Sequence, residues 1–457
     1  MRIHLVILLM QTALLWPLHA MALDPFATEQ LIEYGRLDQA ADLRQCAKEK
    51  ILSPLTLTDV VDLALCNNPQ TRALWASARA QAAQVGASTA AYLPTLAATA
   101  NVSKNRSQAA NQPQLDSFSQ TASLSVSYLL YDFGGRSATL ENAKQLLIAA
   151  NATRDATLQN NFLTAVQAYY ALLSARASVE SFKVDEIAAQ ESLAAAQARY
   201  HAGVATPVDR LQAQTTLSQA RLNRIRAKGD ASNAQGTLAN LMGFDASQPY
   251  TLQAIAEEKP DPVIEQDIGK LIAEARHNRS DLAAAESQIK AAEAQLQAAK
   301  AGGMPTIIVG AMAGVTNPDI QTGSIGVTLN VPLFSGFLTT YQARAAEAQV
   351  EGRLANRDLL ANQIALDVWK AYQGMLTNSQ ALRSADDLVL AATQSEKMIL
   401  GRYKAGVGNI LDTLTAQSAL ANARQQRVAA YYNFLVSRFA LAQAIGQLDL
   451  TQIASRK

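Results

Sequence analysis

The chain holds 457 residues, with 39 Lys+Arg against 38 Asp+Glu. Only 17% of them are charged, below the roughly 25% of an ordinary soluble domain. That balance excludes a nucleic-acid surface built on net positive charge, and no local cluster of Lys or Arg supplies one. A prior of about 150 residues per domain suggests three domains, a rule that long helices break.

Arg2 makes a short positive segment, Leu5 to Leu18 is apolar, and Ala20-Met21-Ala22 is a small-x-small cleavage site before Leu23. Residues 1–22 therefore read as a secretory signal peptide, because the apolar core falls short of the ~20 residues that span a bilayer. The first cysteine is Cys46, so this cleavage leaves no N-terminal cysteine to carry a lipid. Removing the segment takes one Arg and no acid, leaving 38 bases and 38 acids. Beyond it no apolar run is long enough for a transmembrane helix, which leaves a secreted protein or a β-barrel. Cys46 and Cys66 are disulfide candidates in an oxidising compartment. The loop of about twenty residues would be worth roughly 3 kcal/mol in the chain-entropy model, with two buried free thiols as the alternative.

An internal repeat organises the rest. Arg199-Tyr200-His201-Ala202-Gly203-Val204 returns 203 residues later as Arg402-Tyr403-Lys404-Ala405-Gly406-Val407. Asp209, Leu211, Ala213, Gln214, Leu217, Ala220 and Arg221 recur at the same offset as Asp412, Leu414, Ala416, Gln417, Leu420, Ala423 and Arg424. Upstream, Pro94-Thr95 matches Pro305-Thr306 at an offset of 211, so the first half carries eight extra residues, expected between Ser103 and Gln120.

Each half begins with an Ala-rich helical segment (Thr58 to Tyr92; Pro262 to Gly302) and continues into two alternating segments. Leu96, Ala98, Ala100 and Val102 form one apolar face, and Ala122, Leu124, Val126, Tyr128 and Leu130 another, each alternating with Ser, Thr and Asn or Ala. In the second half the faces are Ile307 to Val315 and Ile325 to Leu333, every second residue. Period-two patterning predicts strands, and in a secreted protein such strands suit a transmembrane barrel as well as a half-buried soluble sheet. Four strands cannot close a barrel, since the smallest need about eight. Three chains would pool twelve and remove the unpaired edges that lipid does not tolerate.

From about Ser137 to Tyr200 and from about Thr339 to Tyr403 there is no proline, and each segment would rise roughly 95 Å as one helix. In the second, Ile364, Val368, Ala371, Met375, Leu382, Ala385, Val389 and Ala392 follow three-and-four spacing broken at Asn378, as coiled-coil seams do. A tight glycine turn and another helix follow each.

This order, together with Tyr92-Leu93-Pro94, Leu130-Tyr131-Asp132-Phe133-Gly134-Gly135-Arg136, Val331-Pro332-Leu333-Phe334-Ser335-Gly336 and the paired Arg-Tyr-x-Ala-Gly-Val turns, resembles the TolC-type outer-membrane efflux proteins over about Leu57 to Gly446. The resemblance implies a mainly α fold with β: a homotrimer, internally duplicated, whose twelve-stranded transmembrane β-barrel, four strands per chain, continues into a long-helix α-barrel. The expected organisation is a signal peptide (1–22), an N-terminal periplasmic extension (23–57), a first repeat (58–243), an equatorial linker (244–262), a second repeat (263–446) and a C-terminal tail (447–457). It implies an export channel in the outer membrane of a Gram-negative bacterium, extending into the periplasm. Its partners are outer-membrane lipid, a periplasmic adaptor, and an inner-membrane transporter that is either a proton-driven pump or an ATP-driven exporter. A periplasmic coiled-coil adaptor is the alternative, although its β-structure should lie in compact domains outside a hairpin.

No catalytic or metal-binding set is legible, and no cofactor is expected. Only His201 and His277 remain after signal cleavage, HExxH, GxSxG and phosphate-loop motifs are missing, and Asp386-Asp387 reads as solvated helix charge. Function then lies in the conduit and its closure. Gly203 and Gly406 suit the positive φ that ends a helix, while Thr206-Pro207 and Asn409 suit the start of the next. Asp209 and Asp412 fall three residues after those caps, so capping is one role for both. By resemblance, Asp209 and Tyr403 belong to a polar network that holds the periplasmic entrance closed, and Asp412 lines the narrow opening. The chain departs from that pattern at Gly408, where the family archetype has Arg, and at Thr415, where a second Asp ring would stand.

Overall fold

The computed structural model describes residues 24–33, 54–108, 114–253, 267–316 and 320–448. Helices α1 (Leu57–Asn67) and α2 (Pro69–Ala90) precede strands β1 (Thr95–Ser107) and β2 (Leu115–Tyr131), then helices α3 (Gly135–His201) and α4 (Pro207–Leu241). Helices α5 (Ile268–Asn278) and α6 (Ser280–Ala301), strands β3 (Thr306–Thr316) and β4 (Ile320–Asn330), and helices α7 (Leu338–Lys404) and α8 (Ile410–Ala444) follow in the same order. Both proline-free segments are single helices of 67 residues, and each is followed by one of 35. The first hairpin is the longer, with strands of 13 and 17 residues against 11 each in the second.

The expected single helices Thr58–Tyr92 and Pro262–Gly302 are each two. Pro69 supplies no N–H and pushes Asn68 into an extended conformation, so α1 stops there and α2 starts with Pro69 as its first residue. In the second half Arg279 is extended with no proline beside it. Its guanidinium donates to Asp281 at 2.6 and 3.1 Å and to Asp367 of α7 at 3.3 Å.

The described residues divide into two compact units, one drawn from 24–33, 75–152 and 283–358, the other from 54–74, 153–282 and 359–448. The first contains a four-stranded antiparallel sheet in the order β1-β2-β3-β4. Its register sorts the side chains. Leu96 faces Val126, which faces Ala311, which faces Ile325, all on one face. Thr99 faces Ser123 on the other, their hydroxyls 2.7 Å apart. Leu130 is the one interruption: the register shifts between Leu129 and Tyr131, so Tyr131 takes the place opposite Ile307 that alternation assigned to Leu130. The apolar face is bare in a single chain, with Ile325 84% exposed and Leu96, Val327 and Leu329 more than 60% exposed. A contiguous apolar surface of this kind needs lipid or a partner to cover it. Beside the sheet, Ala78, Ala82 and Val85 of α2 pack on Ala143 and Leu147 of α3.

The second unit holds the largest core. Val60, Val61 and Leu65 of α1 meet Leu158, Phe162, Val166 and Tyr169 of α3, with Leu238 of α4 and Phe434 and Leu435 of α8. Leu55 and Leu252 form a short parallel bridge at its margin. Ile364 and Val368 of the coiled-coil seam pack with Leu271, Ala275 and Leu441. Past Asn378 the seam resumes with Leu382 in the main core. Among the described residues no helix is long and apolar enough to cross a membrane.

Candidate functional site

The two helix-to-helix turns lie in the second unit. In the first, Gly203 has φ +73, its N–H donates to the Tyr200 carbonyl at 3.0 Å, and Val204 N–H donates to Arg199 at 3.0 Å. In the second, Gly406 has φ +84, and the same two bonds run from Gly406 to Tyr403 and from Val407 to Arg402, each 3.0 Å. These bonds satisfy carbonyls that a helix end leaves without partners, at a backbone angle suited to glycine.

The following helix starts differ. At α4, Asp209 N–H donates to Thr206 Oγ1 at 3.3 Å and Thr206 N–H donates back to Asp209 Oδ2 at 2.8 Å, a complete capping box. At α8, Asp412 N–H donates to Asn409 Oδ1 at 2.7 Å, but no return bond to the Asp412 carboxylate is formed among the described residues. Asp412 is exposed, as is Thr415. Thr206 and Asn409 are therefore the equivalent N-caps, and of the two aspartates only Asp209 adds a return bond from its carboxylate.

Tyr403 is 4% exposed and packs with Leu193, Ala196, Leu217, Ile410 and Leu414. Its hydroxyl is buried without a hydrogen-bond partner among the described residues. Burial pushes its pKa up; Arg199 pulls it down and Asp209 pushes it up again. Tyr403 and Asp209 are thus within electrostatic reach of one another, with no hydrogen bond between them among the described residues. Arg199 places its guanidinium 4.8 Å from the Tyr403 ring centre and donates from Nη1 to the Tyr403 carbonyl at 2.8 Å.

Gly408 lies against the same backbone. A Cβ there would sit 3.0 Å from Tyr403 N and 3.3 Å from Tyr403 Cα. A larger residue at this position would require the turn to give by a few tenths of an ångström.

Sequence reasoning missed how charge joins these helices. Arg424 of α8 donates to Asp185 of α3 at 3.1 Å, while Arg221 and Arg224 of α4 both reach Glu186 beside it. Burial nevertheless pushes the Asp185 pKa up, outweighing Arg424. Ser192 donates to Gln417 at 3.0 Å between α3 and α8. Asp386, read as solvated charge, accepts from Arg427 Nε at 2.7 Å and is about half exposed. Recurrence of Arg221 as Arg424 was the available signal, and spacing alone could not name their partners. Cys66 lies in the last turn of α1, and Cys46 falls outside the described residues, as does the signal-peptide segment 1–22.

No group of three or more His, Cys, Asp or Glu among the described residues could hold a metal ion. Comparison with known proteins agrees with a conduit. The model of a family described as outer membrane efflux protein matches residues 60–244 and 271–447. Protein CyaE of Bordetella pertussis is 30% identical over 410 residues, covering 88% of this chain and 86% of its own. Outer membrane efflux protein BepC of Brucella suis is 24% identical over 405 residues, covering 87% of each. In fold, the chain is similar to the solved CmeC outer membrane channel of Campylobacter jejuni, with TM-score 0.78 at 19% identity over 88% of each chain.

Proposed function

The chain belongs to the outer membrane efflux protein family, and from that membership we propose that three copies assemble into one channel-tunnel. It is an export channel of the Gram-negative outer membrane and not an enzyme. Membership implies a periplasmic adaptor and an inner-membrane transporter as partners. One observation carries the trimer: the sheet ends in two unpaired edges, β1 and β4, and exposes an apolar face. Pairing β1 of each copy with β4 of the next would close twelve strands, leaving no edge in lipid. The apolar face then meets lipid, and the Ser, Thr and Asn face lines the pore.

The recurrence at offsets of 203 and 211, with helices of equal length in the same order, supports an internally duplicated chain with repeats at 58–243 and 263–446. Around these repeats we keep the signal peptide at 1–22, the extension at 23–57, the linker at 244–262 and the tail at 447–457. Cys66 is disulfide-bonded and Cys46 is the only other cysteine of the sequence, which supports a bridge tying the extension to α1. At the entrance, Asp209 and Tyr403 act in closure, and three copies of Asp412 surround the narrowest opening. Gly203 and Gly406 shape the turns, whose exposed Val204 and Val407 offer apolar contact to the adaptor.

Fractionation and planar-bilayer recording test this reading. An SDS-resistant trimer from the outer membrane that conducts ions is expected; a soluble monomer, or a monomer that inserts stably, overturns it.

A further inference from the structure

Between the last turn of α6 and the connection from β4 to α7 lies a cavity of about 480 Å³, wholly within the first unit. Gly303 stands at its wall, 211 residues after Tyr92. A Cβ at 303 would lie 2.9 Å from Thr339 Cγ2, so a side chain there would have to displace Thr339 of α7. In the first half Tyr92 instead carries the guanidinium of Arg136 at 4.9 Å.

The lining is amphipathic. Leu333 and Phe334 are 92% and 77% exposed, and Phe337 makes an edge-to-face contact with Phe334 at 5.5 Å. Phe337 holds a left-handed φ of +64, a costly conformation for a bulky residue. Lys300 is the only charged residue of the lining, and no carboxylate pairs with it among the described residues. Thr339 and Thr340 line the same cavity. Just before it in the chain, β4 presents Ile325, Val327 and Leu329 on its exposed apolar face.

We propose that this cavity binds the headgroup phosphate of an anionic glycerophospholipid, one molecule per chain, with its acyl chains against the apolar face of β4. The inference rests on the reading that this face meets lipid. Lys300 supplies the counter-charge and the threonine hydroxyls donate to phosphate oxygens, while Leu333, Phe334 and Phe337 cover the glycerol and upper acyl carbons. A cation set among exposed aromatics at a sheet end matches the polar–apolar boundary of one lipid molecule better than that of a free anion.

The test uses the purified trimer, delipidated in detergent and titrated with dioleoyl-phosphatidylglycerol, dioleoyl-phosphatidylcholine, oleate or glycerol phosphate, with bound molecules counted by native mass spectrometry. One phosphatidylglycerol per chain is expected, held roughly tenfold more tightly than phosphatidylcholine. Lys300→Glu should abolish that preference and Lys300→Arg should keep it. Equal retention of the two lipids, an unchanged preference in Lys300→Glu, or binding of oleate or glycerol phosphate alone would overturn the site. So would protection of Lys300 from amine acylation in the lipid-free trimer, since a second copy would then cover the cavity. A conducting trimer without the preference removes this site and leaves the channel standing; absence of a trimer removes both.

Discussion

Arg199 and Gly406 share the Tyr403 carbonyl: Arg199 Nη1 donates to it at 2.8 Å and Gly406 N–H at 3.0 Å. A carbonyl oxygen has two lone pairs, so both bonds are satisfied at once and the end of α3 is tied to the end of α7. The stacked guanidinium adds a contact that lysine would not reproduce. Arg199→Ala should lower stability by about 1–2 kcal/mol. Because it releases the Tyr403 end of α7, it should also raise open probability in planar bilayers. Arg199→Lys should fall between the two. A lowered melting temperature with unchanged gating would restrict Arg199 to holding the fold.

Asp62 on α1 is a different kind of group. Its Oδ1 is buried without a partner among the described residues, and burial together with Asp59 pushes its pKa up to about 6. The folded pKa lies above the unfolded value of 3.8, so the folded chain takes up protons between them. The associated stability is fully present below the unfolded pKa and is lost as pH rises through about 6. Asp62→Asn should stabilise the protein near pH 7 by about 1 kcal/mol, after discounting for partial exposure, and change little near pH 4. Thermal melts across this range check it; a pH dependence parallel to that of the parent would mean that Asp62 does not titrate in this window.

What the sequence made legible follows from local rules. Alternation at Leu96 to Val102 and Ile325 to Leu329 marks strands, because a strand sends successive side chains to opposite faces. Freedom from proline, and the turn chemistry at Gly203 and Gly406, bound the long helices to within a few residues. The break at Arg279 was not legible: no proline marks it, and the guanidinium there bonds to Asp367, 88 residues away. The Leu130 bulge follows from pairing with β3, and the buried state of Asp62 from tertiary packing; neither leaves a mark in local spacing. At the two turns, the capping positions were legible, while the difference in bonding between Asp209 and Asp412 needed the side-chain geometry.

Val126 tests which strand face meets lipid. It sits between Leu96 of β1 and Ala311 of β3, in the middle of the apolar face. Val126→Arg should cost about 2–4 kcal/mol if this position lies near the bilayer midplane, and the yield of assembled trimer should fall. Ser125→Arg, one residue along and on the opposite face, should assemble and alter conductance instead. Undiminished yield for Val126→Arg would reverse the two faces.

Asp209 and Asp412 recur at the offset of 203 residues, and the structure gives them different hydrogen bonds. The Asp209 carboxylate accepts from Thr206 N–H, so Asp209→Ala should cost about 1 kcal/mol through loss of the capping box. The Asp412 carboxylate is exposed and makes no hydrogen bond or ion pair among the described residues; the N-cap Asn409 accepts from Asp412 N–H, and no bond returns to the carboxylate. Three such carboxylates around a three-fold axis would concentrate negative potential at one constriction and favour cations. Asp412→Ala should therefore lower cation selectivity and weaken block by multivalent cations, with trimer yield and melting temperature nearly unchanged. Reversal potentials under a salt gradient read the selectivity, and differential scanning calorimetry reads the stability. The opposite pattern, a lower melting temperature with unchanged reversal potential, would make Asp412 a helix-end residue and move the selectivity of the opening to other groups.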